Sequence, residues 1–539
     1  MPATRSPLAI TAALLTLLPL AACGGSGGGT GASSSPTAPQ QPQATATCAA
    51  QSTVDLQPGQ TASLTAAQAA CFRLAPHAGA RYALAGFDAR AIEGARVGPE
   101  PSFGSDPVYV VGDGSGVAPA PAPSGNRAPS ADRAPTDLHV RGDAATDPLS
   151  PFSRATPWQQ GERFTLRGLE TGVATAQVVK VMGRYVLAVV EADREGHTGK
   201  FIEDTQTAIE YLNGEGGAVL NQVWNGVQPS TSAGSGQVLI VLAAWNPDNG
   251  VASTQTNAAP DGSGIGSYVW MNLNVRPGVR DGYNMVDVPS YRLKVLAHEL
   301  THAWQLRYAY TTQPAGPRTL AFGPAWALEG TADLVALDLV RRSLGVQLTS
   351  NWNWQDRLRA PNAGITLALQ PADTRGRLSR GYADAASFLQ DVQVRMVRRG
   401  AGADEALAQV ARGAVEGWYG TDAAGVRRQG LAARVRPVLG AAWEPADAVL
   451  LWTLTQAADD QTDFADLNNA MFDHAADPGS DYAWKAALDE VQPGKAFAYQ
   501  VQRSAGSSFF VRVKDGGSGG TVSLSASVDG TRWMIARLK

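Results

Sequence analysis

Between Val295 and Gln305 the chain reads VLAHELTHAWQ, an apolar stretch that carries His298, Glu299 and His302. The longer run VPSYRLKVLAHELTHAWQLRYAY has no glycine and a single early proline, so it reads as a helix, with Ser290 available as its N-cap. Residues four apart on a helix project from one face. His298 and His302 can therefore bind one metal ion, with Glu299 beside them on the same helix. The competing reading is a pair of ordinary core histidines. It is disfavoured because the chain has only 6 histidines, and because burying two of them with a glutamate, without an ion or partners, is costly.

A catalytic zinc takes three protein ligands and keeps one position for water. The flanks of HELTH resemble the longer zinc-peptidase pattern: Val295-Leu296-Ala297 before it, uncharged Leu300 and Thr301 within it, Ala303-Trp304 after it. The metzincin form is excluded, because Gln305 and Tyr308 occupy its required Gly and His positions. Downstream, Trp326-Ala327-Leu328-Glu329-Gly330-Thr331-Ala332-Asp333 resembles the second-helix motif of the gluzincins. That resemblance implies Glu329 as third ligand, Asp333 as the partner that orients His298, and one catalytic Zn2+. A second resemblance competes. Gly330-Thr331-Ala332-Asp333 also opens the aspzincin motif GTxDxxYG, in which the aspartate is itself a ligand, but Ala336 and Leu337 replace its Tyr and Gly.

The remaining chain suggests an α+β protein with a zincin-like metallopeptidase core over 158–480, flanked by small all-β units. Residues 48–117 show short alternating strands (TASLTA, ACFRLAP, ARYALAGFDAR, PVYVVGDG) of sandwich type. Residues 118–157 are rich in Ala, Pro, Ser and Asp and read as a linker. ERFTLRG, ATAQVVKVMG and RYVLAVVEAD are strands in series, followed by a helical stretch interrupted at Gly214, Gly216 and Gly217. QVLIVLAAW reads as a buried strand. SYVWMNLN (267–274), just upstream of the HELTH helix, is expected to be the edge strand that gives a zincin its substrate shelf. From Ser379 the pattern is mostly helical, with Tyr382, Ala385, Ala386, Leu389, Val392 and Met396 on one face. Strands return over 481–539, read as a separate C-terminal β unit.

The first 22 residues combine Arg5 with an apolar run from Leu8 to Leu20, too short for an ordinary membrane span and suited to export. Leu20-Ala21-Ala22-Cys23 resembles a bacterial lipobox, which implies cleavage before Cys23 and its lipidation; the alternative is a plain secretory signal. Residues 23–47, rich in Gly, Ser and Pro, read as a flexible tether. With Cys23 taken by lipid, the 3 cysteines leave one pair, Cys48 and Cys71, and an oxidising compartment favours a disulfide between them. The expected location is the cell envelope, on its periplasmic or extracellular face. A net charge of -4 without a basic run argues against nucleic acid as a partner.

These readings converge on an exported zinc endopeptidase acting on protein or peptide, with Glu299 as general base. The exopeptidase branch of the family carries a GxMEN strand whose glutamate is missing from GSYVWMNLN, which favours internal cleavage. Tyr382 and His474 are the candidates for the oxyanion donor that related enzymes add. The alternative function is a catalytically inactive, peptidase-like binding or adhesion lipoprotein. A latent enzyme, held by the first β unit and 158–200, is a regulatory variant of the first reading.

Overall fold

The structure is a computed structural model. It describes residues 52–89, 108–112, 136–140, 156–167, 173–193, 198–232, 235–244, 252–258, 265–273, 288–312, 325–345, 365–366, 377–420, 429–455, 490–491, 497–500, 507–515, 520–524 and 531–539. The signal and tether regions, with Cys23 and Cys48, lie outside the described residues, as does His474.

The chain opens with strands β1 (Thr53–Val54) and β2 (Thr61–Leu64), helix α1 (Ala66–Ala70), then β3 (Phe72–Leu74), β4 (Arg81–Asp88) and β5 (Val108–Gly112). Strands β6 (Thr136–Val140), β7 (Arg163–Arg167), β8 (Val173–Met182) and β9 (Tyr185–Val190) lead to helices α2 (Thr198–Asn213) and α3 (Glu215–Val223). Next come β10 (Val238–Ala243), β11 (Ala252–Ala258), β12 (Ile265–Asn272) and the helices α4 (Val288–Thr311) and α5 (Ala325–Leu344). After β13 (Ile365–Thr366), helices α6 (Arg377–Arg398), α7 (Ala403–Val415), α8 (Gly430–Leu439) and α9 (Pro445–Thr455) follow. Strands β14 (Glu490–Val491), β15 (Phe497–Gln500), β16 (Ser507–Lys514), β17 (Gly520–Leu524) and β18 (Thr531–Arg537) close the chain. The fold is α+β, as expected.

The central sheet runs β6-β11-β12-β10-β9-β8-β7. Its middle strands β9, β10 and β12 are parallel, and β8 and β11 join them antiparallel. Every residue of β10, VLIVLA, is buried, because helices cover one face of the sheet and Trp158 and Phe164 close the other. Val238, Ile240 and Leu242 share a core with Ile209 of α2 and Leu296 of α4, while Leu239 and Val241 face Trp158. A continuous apolar run is the sequence form of a strand buried on both faces.

Three expectations need correcting. SYVWMNLN is not the edge: β12 is interior, flanked by β10 and by β11, with β6 beyond. Strand β11 is ASTQTNA, polar in composition, and pairs antiparallel with β12 over its whole length. The linker 118–157 contributes β6, paired parallel with β11. The two β units, expected to be separate, are one: β4 pairs with both β16 and β18, and β5 with β15 and β17. A smaller departure is Ser290, which falls inside α4 rather than capping it.

The joined chain ends form a two-sheet β unit around Phe72, Leu74, Tyr82, Leu84, Val511 and Trp533. Alternation along β4 divides its side chains. Tyr82 and Leu84 enter that unit's core, whereas Ala83, Ala85 and Phe87 belong to the main core with Trp452 of α9. One strand thus fastens the β unit to the helical layer, and Thr453 Oγ1 of α9 donates to Ser508 Oγ of β16 at 2.8 Å.

The far end of α4 is anchored by a buried polar cluster. Tyr308 Oη donates to Glu416 Oε1 at 2.7 Å, and the Arg434 guanidinium grips both Glu416 oxygens at 2.6 and 2.7 Å. Burial opposes the Glu416 charge, but Arg434 and Tyr308 outweigh it and hold the carboxyl below the usual range. A depressed carboxyl pKa contributes stability above the unfolded value, and loses it as pH falls through the folded one. Arg434→Met leaves a buried, unpaired carboxylate and is expected to cost about 3–5 kcal/mol in urea unfolding at pH 7. The gap from wild type should narrow as pH drops below the carboxylate range; a gap independent of pH contradicts this account.

Candidate metal centre

Helix α4 is buried through nearly all of its described length, which is why its apolar residues do not form a single stripe. His298, Glu299 and His302 are 1%, 0% and 0% exposed. Helix α5 packs against α4 and brings Glu329, 6% exposed, opposite the two imidazoles. The Nε2 atoms of His298 and His302 lie 3.1 Å apart, and Glu329 Oε2 lies 3.1 Å from the first and 3.3 Å from the second. Ligand atoms about 2.0–2.2 Å from one tetrahedral ion sit roughly 3.3–3.6 Å from each other. All three separations fall within a few tenths of an ångström of that edge length. His298, His302 and Glu329 can hold a metal ion.

The outward-facing atoms of the ligands are also fixed. His298 Nδ1 lies 2.6 Å from Asp333 Oδ1, which accepts from Lys294 Nζ at 2.6 Å as well. His302 Nδ1 meets Gln305 Oε1 at 2.7 Å, and Gln305 Nε2 donates to the Leu328 carbonyl at 2.8 Å. Both ring Nδ1–H groups are thereby directed away from the centre, leaving Nε2 for the ion, the orientation that outer partners impose on metal-binding histidines. Asp333 sits on the Nδ1 side of His298. The geometry therefore matches the orienting role rather than the ligand role of the competing aspzincin pattern.

The approach of α5 to its neighbour depends on Gly330. A Cβ there would stand 2.6 Å from Ala385 Cβ and 3.0 Å from the Ala385 carbonyl carbon on α6. Gly330→Ala must push apart two helices, one of which carries Glu329. Overpacking of this kind costs about 1–3 kcal/mol, expected as a lower melting temperature; an unchanged melting temperature contradicts the close contact. Behind the start of α5, Trp326 stacks 4.7 Å from Trp418 and 6.2 Å from Phe388, making a stiff aromatic wall.

Electrostatics follow from burial and pairing. Burial alone lowers the His298 pKa, but the Asp333 and Glu329 carboxylates outweigh it and raise it to about 9. His302 is raised likewise, against burial, by Glu329. Glu329 is drawn down to about 2 despite its burial, by His302 and His298. Asp333 is also lowered, Lys294 and His298 overcoming burial. Glu299 goes the other way: burial raises it to about 7, against the pull of His298, His302 and its hydrogen bond from Thr254. Ion uptake near neutral pH therefore displaces a proton from His298, and affinity should climb with pH.

Compared with known proteins, the chain matches no family model and no curated sequence. The site stands on its own geometry. Of the residues singled out in the sequence, His298, Glu299, His302, Glu329 and Asp333 come together. Tyr382 lies on α6, its side chain outside the described residues, and His474 lies outside them altogether. Lys294, Gln305 and Thr254 are parts of the site that the HELTH and EGTAD motifs do not name. Lys294 stands four before His298 and Gln305 three after His302, so helical spacing carried a signal for both. Thr254 had none, since it arrives from another strand.

Proposed function

We propose that this chain is a zinc-dependent endopeptidase of gluzincin type, with His298, His302 and Glu329 as ligands. The observation that carries the reading is the convergence of the three candidate ligand atoms beside Glu299, whose Oε1 is buried and has no hydrogen-bond partner among the described residues. Two imidazoles and one carboxylate form a ligand set of the catalytic zinc type. When bound, zinc supplies Lewis acidity for water activation and carbonyl polarisation.

Glu299 then acts as the proton carrier. In the metal-free site burial raises the Glu299 carboxyl above the ordinary carboxylate range, and a general base serves best when its pKa lies toward the working pH. Glu299 takes the proton of the attacking water as the oxygen–carbon bond forms. It delivers that proton to the amine nitrogen as the carbon–nitrogen bond breaks, so water is consumed and two termini are released. Asp333 and Gln305 hold the imidazoles in register throughout.

The proposal extends to an exported protein lipidated at Cys23, with Cys48 paired to Cys71, which is buried at the end of α1. Among the described residues no helix is long and apolar enough to cross a membrane. The test of the activity is cleavage of casein, an unstructured protein, by the purified chain. Cleavage should stop on treatment with a zinc chelator and return on adding zinc. Cleavage insensitive to the chelator, or an inert metal-loaded protein, contradicts the reading; the second outcome favours a peptidase-like binding protein.

A further inference from the structure

We infer that Thr254 on β11 is a positioning residue for Glu299, fixing one carboxylate oxygen so that the other is the one that exchanges the proton. The inference rests on the peptidase reading above. Strand β11 runs beside α4, and Thr254 is completely buried. Its Oγ1 lies 2.7 Å from Glu299 Oε2 and 2.9 Å from the Glu299 carbonyl oxygen. One hydroxyl thus touches both ends of the same residue, side chain and backbone. Glu299 Oε1, equally buried, has no hydrogen-bond partner among the described residues.

The asymmetry has a chemical consequence. A carboxylate with both oxygens free can rotate about its last torsion, which is broad and roughly two-fold. A charge-assisted bond from a buried hydroxyl removes that freedom. Oε2 is held by Thr254, so Oε1 is the oxygen left with its acceptor capacity unspent. The Glu299 carbonyl oxygen lies within reach of the same hydroxyl hydrogen, which is shared between the two oxygens with the shorter contact to Oε2, and this ties the strand to the point on α4 where the glutamate departs. The hydroxyl is therefore placed to set both the position and the rotation of the base. Threonine is suited to this place for a second reason: its branched side chain has restricted χ1 and fits a strand.

The experiment compares Thr254→Val, Thr254→Ser and wild type in steady-state cleavage of a fluorogenic peptide cut from casein, with metal content measured on each. Valine keeps the shape and removes the hydroxyl; serine keeps the hydroxyl. Thr254→Val is expected to lose about tenfold to a hundredfold in kcat, the scale on which a misplaced catalytic group costs rate, with KM and metal content unchanged. Thr254→Ser should recover most of kcat. In a Glu299→Gln background, Thr254→Val should cause no further loss. Full activity of Thr254→Val overturns the inference alone. So does an equal fall in the valine and serine variants accompanied by a lower melting temperature, which marks a packing role. If the valine variant does not fold, Thr254→Ala is put through the same comparison with serine. A metal-loaded wild type that cleaves nothing overturns the peptidase reading and this role with it.

Discussion

Glu299→Gln is expected to keep its metal and lose about 10²–10⁴-fold in kcat, the range set by removing a general base. Glutamine preserves the shape of the side chain and can still accept from Thr254, so α4 and the ligand atoms have no reason to move. What disappears is the capacity to carry a proton. The atoms that can hold a metal ion are those of His298, His302 and Glu329, none of which the substitution touches. Loss of activity with retained metal therefore separates proton transfer from assembly of the site. Steady-state kinetics on a casein-derived peptide, with elemental analysis of the same sample, makes the check. Equal kcat in the two proteins removes Glu299 from the chemistry.

Glu329→Ala and Asp333→Asn are expected to diverge. Glu329 Oε2 approaches both Nε2 atoms, at 3.1 and 3.3 Å, so alanine deletes one of three ligands and should leave the purified protein without zinc. Among the described residues, Asp333 meets the outer nitrogen of His298 and the Lys294 ammonium, not the Nε2 atoms. Weakening such a partner costs about 10–100-fold in metal affinity or activity, measurable by competition with a chromophoric chelator. Zinc retained at full affinity in Glu329→Ala, and lost in Asp333→Asn, would reverse the assignment and restore the aspzincin pattern.

The helices that carry the candidate ligands were legible because their information is local. HELTH announces itself by helical spacing, and Glu329 and Asp333 stand one turn apart on the next helix. Both acids face His298 because residues four apart share a helix face. The apolar run of β10 was legible as a strand covered on both sides. Other features depend on which distant segment a strand chooses. ASTQTNA has the composition of a loop, and becomes β11 because β12 offers it a full antiparallel ladder. The pairing of β4 with β16 and β18 joins residues more than four hundred positions apart, and nothing in either segment names the other. Thr254 was invisible for the same reason. Its role exists only once β11 lies beside α4. Lys294 and Gln305 are intermediate: their spacing from the histidines was readable, but their function needed Asp333 Oδ1 and the Leu328 carbonyl in place.

His298, His302 and Glu329 are proposed to hold one catalytic zinc, with Glu299 beside it as a separate proton carrier. Elemental analysis of wild type, Glu299→Gln and Glu329→Ala, purified side by side and dialysed, tests it most directly. About one zinc per chain is expected in the first two and none in the third. A wild type free of metal, or a Glu329→Ala protein that keeps a full complement, contradicts it.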